Sequence, residues 1–325
     1  MATWSFVLSL IYGIVFMTLY TWVAFTLWIR RNQLKSSFYR LFLVGFVMNL
    51  LTYINSFMSL RIPQNTGYND SFSRYFLYHN PYNKEDDWPV NIYHTLHYQF
   101  AYAQYIFNCV ICLNRFTLII FPMTSEKLWK KWFWAVVAVI FLSPSVVTVF
   151  ILKNRSFYRY SFNHDYFWID STFGRGNIYR GLTPFLVAIT VLDIIFNVSS
   201  YRKMKEMRRL GLRVPERSLL VMSFVVFFID IFLTILAVLN AVLTISTPEN
   251  PIFYELAYYV TSCTPYASDC LTLSQPVLLL CFSKTVRRKC IELIPCLRPL
   301  AQTHPWFACS KNVAFIRRFE PSSVW

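Results

Sequence analysis

The chain has 325 residues, 56% apolar and only 14% charged, with a net charge of +15. That balance excludes a soluble globular domain and a disordered segment, since charge is too sparse and apolar surface too abundant for either. The basic excess raises nucleic acid as a partner, but the Lys and Arg adjoin apolar runs and no stacking module or groove-reading element accompanies them. Anionic inner-leaflet lipid is the simpler attractor.

Taken in order, the apolar runs predict spans near 5–29, 41–60, 96–120, 132–151, 181–200, 219–245 and 255–281. Each is near or above the ~20 residues a helix needs to cross hydrocarbon. Strands of a membrane barrel would alternate polar and apolar residues strictly, and these runs do not. The expected fold is therefore all-α: a polytopic seven-transmembrane helix bundle, one domain over 1–325, with 282–325 as a tail. The loops 61–95 and 152–180 are rich in Tyr, Phe, Trp, Asn and Asp, which predicts folded caps rather than linkers.

Charge orients the bundle. Of 31 Lys and Arg, 23 fall after the first, third, fifth and seventh runs, including Lys130, Lys131, Arg208 and Arg209. The positive-inside rule then puts the amino terminus outside and the carboxyl terminus in the cytoplasm. No charge precedes Arg30, so residues 5–29 read as a retained span and not as a signal peptide. Glycosylation sequons at Asn69 and Asn154 fall in loops assigned outside, and a third at Asn197 lies within a span, where it should be silent.

None of the eight Cys falls in a loop assigned outside, which predicts reduced thiols. Cys290 and Cys296 lie in or beside the basic, amphipathic stretch 286–294, which suits a short helix on the inner membrane surface. Palmitoylation of these two and plain interfacial cysteines are both open readings.

Ionisable groups within hydrocarbon are costly and usually face the bundle interior. Asp193, Asp230, Asp269 and Arg115 are the main ones in the predicted spans. His97, Ala101, Gln104, Asn108, Cys112 and Arg115 recur at helical spacing, which gives span three one polar or small face and marks it as the central helix. Interhelical hydrogen bonding alone is an alternative reading of that stripe. Pro144, Pro184, Pro265 and Pro276 predict interruptions, with Pro276 and Asp269 marking span seven as the one that bends.

Asn114-Arg115-Phe116-Thr117 closing span three, then Phe121-Pro122 and Trp129-Lys130-Lys131-Trp132, form a recognisable block with Pro276 to Lys284 at the end of span seven. Across essentially the whole chain this resembles the nematode serpentine chemoreceptors of the class gamma superfamily, which includes the related class V and class U groups. The resemblance implies a G-protein-coupled receptor of sensory neurons or their cilia. Carried over, Arg115 matches the arginine of the triplet at the inner end of the third helix in rhodopsin-like receptors, with Asn114 in place of the acid. Pro276 matches the seventh-helix proline, but neither the preceding Asn nor the following Tyr is present. The sixth-span Trp and Pro and the outer disulfide are missing too.

The expected function is reception of a small-molecule odorant or pheromone in the outer half of the bundle, lined by aromatics such as Tyr98, Tyr102, Tyr258 and Tyr259, or by aromatic packing alone. Arg115 would be the switch, and a heterotrimeric G protein would dock on Asn114, Arg115, Lys130, Lys131, Arg208 and Arg209. Pairing of receptors is left open, and no cofactor is expected. The alternative is an ion- or proton-coupled transporter using Asp193, Asp230 and Asp269, although no paired repeat supports it. An enzyme ranks third: the only close His pair is His94 and His97, no nucleophile has a recognisable base, and neither a metal nor a catalytic residue is expected.

Overall fold

The computed structural model describes residues 4–34, 36–83, 88–210, 217–245 and 251–294. Cys296 and the remainder of the tail lie outside the described residues.

The first span is helix α1, Trp4–Ile29. The second is composite: α2, Ser37–Ser56, passes through a π-helical turn at Phe57–Arg61 into the short α3, Ile62–Gln64. A surface helix α4, Ser73–Tyr78, precedes the third span, α5, Trp88–Ile120. The fourth divides at Pro144 into α6, Ser125–Leu142, and α7, Ser145–Leu152. Then come strands β1, Ser156–Ser161, and β2, Tyr166–Ser171, and the long helices α8, Arg175–Arg209, α9, Arg217–Ile245, and α10, Pro251–Phe282. The short α11, Lys284–Glu292, follows, its first turn capped by Ser283 Oγ accepting from the Val286 amide.

Six of the seven long segments are apolar enough to cross a membrane by length and composition. The seventh, α10, is long enough at 32 residues. Its apolar character is diluted by Thr261, Ser262, Thr264, Ser268, Asp269, Thr272, Ser274 and Gln275. A polar helix of this kind is tolerated where neighbours cover it. Those neighbours are α1, α2 and α9.

Helix α5 is the centre of the bundle. Of its most apolar stretch, 56% is buried, against 22% in α1 and in the fourth span. It packs against α2, α6, α7, α8 and α9, while α10 closes the ring between α9 and α1. At Gly45 of α2 the helices approach so closely that a Cβ would meet the Phe107 ring of α5, which is itself fully buried. Outward faces stay apolar, with Leu8, Ile11, Trp134, Leu142 and Phe228 exposed, as a lipid-facing surface requires.

The loop before α8 is a hairpin, so the all-helical expectation gains one small antiparallel sheet. Its register pairs Ser156 with Ser171 and Tyr158 with Ile169. Alternation puts Tyr158, Phe167 and Ile169 on the inner face, where they pack with Phe76 of α4 and Val90 of α5. Backbone and side-chain bonds fix it: the Tyr158 amide donates to the His79 carbonyl at 2.8 Å, and Arg175 Nη2 to the Ile169 carbonyl at 2.8 Å.

Several boundaries differ from the expectation. Span two ends at Gln64 and not at 60, which carries Arg61 into the bundle. Span three starts eight residues earlier than the expected 96, at Trp88, so His94 and His97 are helical and not at a loop boundary. Of the prolines, Pro144 divides a helix, whereas Pro184, Pro265 and Pro276 lie inside continuous ones.

Candidate functional site

Beneath the hairpin, between α1, the π-helical turn with α3, and α10, lies a cavity of about 520 Å³. Its floor is Arg61, 3% exposed, whose Nη2 donates to the Pro265 carbonyl at 3.2 Å and pairs with Asp269 Oδ2. Tyr12 of α1 donates its hydroxyl to the same carboxylate, and the Arg61 guanidinium lies 5.3 Å from the Tyr53 ring centroid. One acid thus ties α1, α2 and α10 together. The sequence explains the pairing: a π-helical turn re-aims Arg61 inward, and a charge without water needs a counter-charge.

The cavity wall is aromatic. His164 from the hairpin loop stacks on Tyr258 of α10 at 3.8 Å between centroids and 6° between planes, with Tyr166 alongside. At the rim, Asp165 Oδ1 accepts from the Tyr160 hydroxyl at 2.6 Å and the Tyr68 amide at 2.9 Å. Those donors hold the Asp165 carboxyl below its usual range, and the same bond pushes the Tyr160 phenol up to about 12. Asp70 Oδ2 accepts from the Gly67 amide at 2.8 Å, which holds its carboxyl low as well. A smaller space of about 70 Å³ lies deeper, lined by His94, His97, Tyr98, Trp168 and Arg175. His94 Nδ1 is 3.0 Å from Ser156 Oγ, so this ring anchors the hairpin base.

Midway down, polar side chains from four helices form one buried chain. Gln104 Nε2 of α5 donates to Thr272 Oγ1 of α10 at 3.0 Å and to Asn49 Oδ1 of α2 at 3.1 Å. Asn49 Nδ2 donates to the Tyr20 hydroxyl of α1, which donates to Gln275 Oε1 of α10 at 2.9 Å. Beside it, Asn108 Nδ2 donates to both oxygens of Asp230 at 3.0 and 3.1 Å. Asp193 lies by the thiols of Cys109 and Cys112, and Asn197 Nδ2 is 3.4 Å from Cys112 Sγ. The polar stripe of span three is therefore the seam at which α5 meets α2, α8, α9 and α10.

At the opposite, basic end Arg115 is also 3% exposed, its guanidinium 3.8 Å from the Phe38 ring centroid. Asn114 Nδ2 donates to Ser37 Oγ at 2.9 Å. Ser37 in turn donates its hydroxyl and its amide to Glu126, and Ser36 Oγ donates there too. Glu126 thereby caps the start of α2. Trp129 Nε1 donates to Thr117 Oγ1 at 2.9 Å, which fixes the connection from α5 to α6. Lys130, Lys131, Arg208 and Arg209 are exposed around this face. A tight space lined by Phe38, Asn108, Ile111, Cys112 and Gln275 separates Arg115's ring partner from the mid-bundle chain.

The residues picked out in the sequence are distributed as follows. Tyr258 lines the large cavity and Tyr98 the small one. Tyr102 is packed on Phe185 in the core, and Tyr259 is 61% exposed and lines neither. Asp230 and Asp193 meet near mid-bundle, apart from Asp269. Pro276 follows Gln275 of the polar chain. Cys290 is buried with Tyr20, Val23 and Leu27. Asn69 is exposed on the cavity rim. The Asn154 amide is engaged, donating to the Phe150 carbonyl at 2.6 Å. Among the described residues no cluster of His, Cys, Asp and Glu could hold a metal. Sequence reading missed Arg61, Tyr12, His164 and Glu126. Arg61 had one signal: it follows an apolar run directly, and the buried Asp269 needs a partner.

Residues 6–290 match the Srg family chemoreceptor family. Serpentine receptor class gamma-31 of Caenorhabditis elegans is 24% identical over 285 residues, covering 86% of this chain and 88% of that protein. Serpentine receptor class gamma-2 of the same organism is 22% identical, covering 81% and 76%. Serpentine receptor class gamma-9 is also 22% identical, covering 86% and 80%. A helical, membrane-spanning bundle with a match over nearly its whole length belongs to the Srg family of serpentine chemoreceptors.

Proposed function

We propose that this receptor binds a small molecule in the cavity under the hairpin and passes the event to a heterotrimeric G protein at the basic end. The amino terminus and hairpin face outward, and the basic connections and the carboxyl terminus face the cytoplasm. The carrying observation is that Arg61 in the cavity floor pairs with Asp269 of α10, the helix that also holds Thr272 and Gln275 of the mid-bundle chain. A ligand that changes how Asp269 is held changes the seating of α10 against α1, α2 and α5. Differential contact of this kind is what shifts a population between states.

At the far end, Arg115 of α5, buried with its guanidinium over the Phe38 ring of α2, is the switch residue, because a displacement of one helix against the other changes what this charge meets. Asn114, Lys130, Lys131, Arg208 and Arg209 frame the docking face, and anionic lipid of the inner leaflet anchors it. The receptor acts at the plasma membrane of sensory neurons or their cilia. Catalysis has no part in this reading.

Expression with a calcium or cyclic-nucleotide reporter, screened against odorants and pheromones, tests it. Arg115→Ala should abolish the evoked signal at unchanged surface expression. Ser262→Trp, which fills the cavity, should abolish the response and leave basal signalling intact. Evoked signals that survive either substitution would refute the corresponding half.

A further inference from the structure

Arg61 offers more donors than the bundle uses. Its Nη2 serves Asp269 and the Pro265 carbonyl, while Nε and Nη1 are buried with no hydrogen-bond partner among the described residues. Leaving buried donors of a charged group unmade is costly, so such groups are normally satisfied by something. Arg61 lines the cavity floor. The carboxylates on the same cavity are differently placed: Asp165 and Asp70 accept from donors of the rim itself. The cavity therefore has a guanidinium in its floor, with unmatched donors buried just behind that surface, beneath a rim whose acids are already engaged.

We infer that the ligand is a small organic acid whose carboxylate seats on Arg61 in competition with Asp269, with its apolar body between the stacked His164–Tyr258 pair and Tyr166. This rests on the cavity being the ligand site. A planar guanidinium accepts a carboxylate through two parallel bonds, a geometry no neutral headgroup reproduces. Seating that anion weakens the hold of Arg61 on Asp269, which Tyr12 of α1 still grips. The bridge between α2 and α10 is thereby loosened while the bridge between α1 and α10 persists. Ligand chemistry and helix movement are coupled at one atom pair.

Receptor purified into nanodiscs and titrated with 3-phenylpropionate, 3-phenylpropionamide and 3-phenylpropylamine tests the inference, since these probes share a body and differ in the headgroup. The acid should bind at least about tenfold more tightly than the amide, as expected for a charge-assisted pair. Arg61→Gln should erase that preference and bring the acid down to the amide. Asp269→Asn keeps the shape and removes the competing charge, so it should bind the acid more tightly than the parent and be stabilised more by it in thermal unfolding. Unchanged or weaker acid binding by Asp269→Asn overturns the proposal, and should these variants, each of which breaks the buried pair, not fold, the parent receptor decides the matter by whether it prefers the acid to the amide. Equal binding of acid and amide, abolished by Ser262→Trp, overturns the acid proposal and leaves the cavity standing. Binding of all three probes that survives Ser262→Trp, or binding of none, overturns the cavity and this inference with it.

Discussion

Two arginines, each 3% exposed, sit at opposite ends of the bundle against different neighbours. Arg61 is paired with the Asp269 carboxylate, and Arg115 lies face-on to Phe38. Near Arg115 the acid Glu126 is engaged by Ser36 and Ser37 at the start of α2. The first arrangement is a lock whose rupture strands a charge, and the second sets a charge over an aromatic face where α5 meets α2. A receptor needs both: a device where a ligand must do work, and one where a partner protein must find an opening.

The lock should fail most dramatically. Asp269→Ala removes the counter-charge of Arg61 and an acceptor of Tyr12, and breaking one side of a buried pair costs about 3–5 kcal/mol. Surface expression should collapse, and the detergent-solubilised receptor should lose most of its cooperative melting. The double change Arg61→Leu with Asp269→Leu should recover folding without evoked signalling, which separates the lock's structural share from its response to ligand. If Asp269→Ala melts like the parent, the two arginines are not held differently.

Phe38→Leu tests the other end. It keeps an apolar side chain of similar size and removes the ring beneath Arg115, so the expected loss is about 1–2 kcal/mol. Basal reporter activity should change, because the seating of Arg115 on Phe38 is removed. A fall in stability without a change in basal signal would make the stacking structural only.

Much of this difference was readable beforehand, and the part that was not has a definite cause. Seven spans, the central third helix and a buried Arg115 follow from apolar runs and helical spacing, which register within one element. Hydropathy ends at Leu60 and so puts Arg61 in a loop, whereas a π-helical turn, which carries no sequence signature of its own, extends the helix to Gln64. Of the four tyrosines expected at the site, two line cavities and two do not, since facing direction in a polar helix depends on tertiary neighbours. His164 is distant in sequence from its stacking partner Tyr258, and only the hairpin brings them together. Pair contacts across the bundle are thus the least legible layer.

Smaller effects belong to the supports of each end. Glu126→Gln keeps one acceptor for the Ser37 amide but removes the charge at the start of α2, with an expected loss of about 0.5–1 kcal/mol. Hydrogen exchange of the first turn of α2 should quicken while the cavity end is unaffected. Equal quickening at the hairpin would mean that the two ends are not independent in the resting state.

The smallest effect is a pH response of the hairpin rim, and its sign follows from two shifts. Asp165 is held below its usual 3.8 by the Tyr160 hydroxyl and the Tyr68 amide, so its support is complete above that value and fades as acid protonates it. Tyr160 is raised from 10.0 to about 12 chiefly by its bond to Asp165, so its support is present below 10.0 and is lost as the pH climbs through about 12. The rim should therefore be tightest between these edges. Exchange of the Tyr68 amide, which donates directly to Asp165, should quicken at both ends of the range. Asp165→Asn should flatten the acid edge, and Tyr160→Phe the alkaline one. Because Asp165 is solvent-exposed, neither change should alter the melting of the bundle, in contrast with Asp269→Ala beneath it: the acid that matters to the fold is the one that water cannot reach.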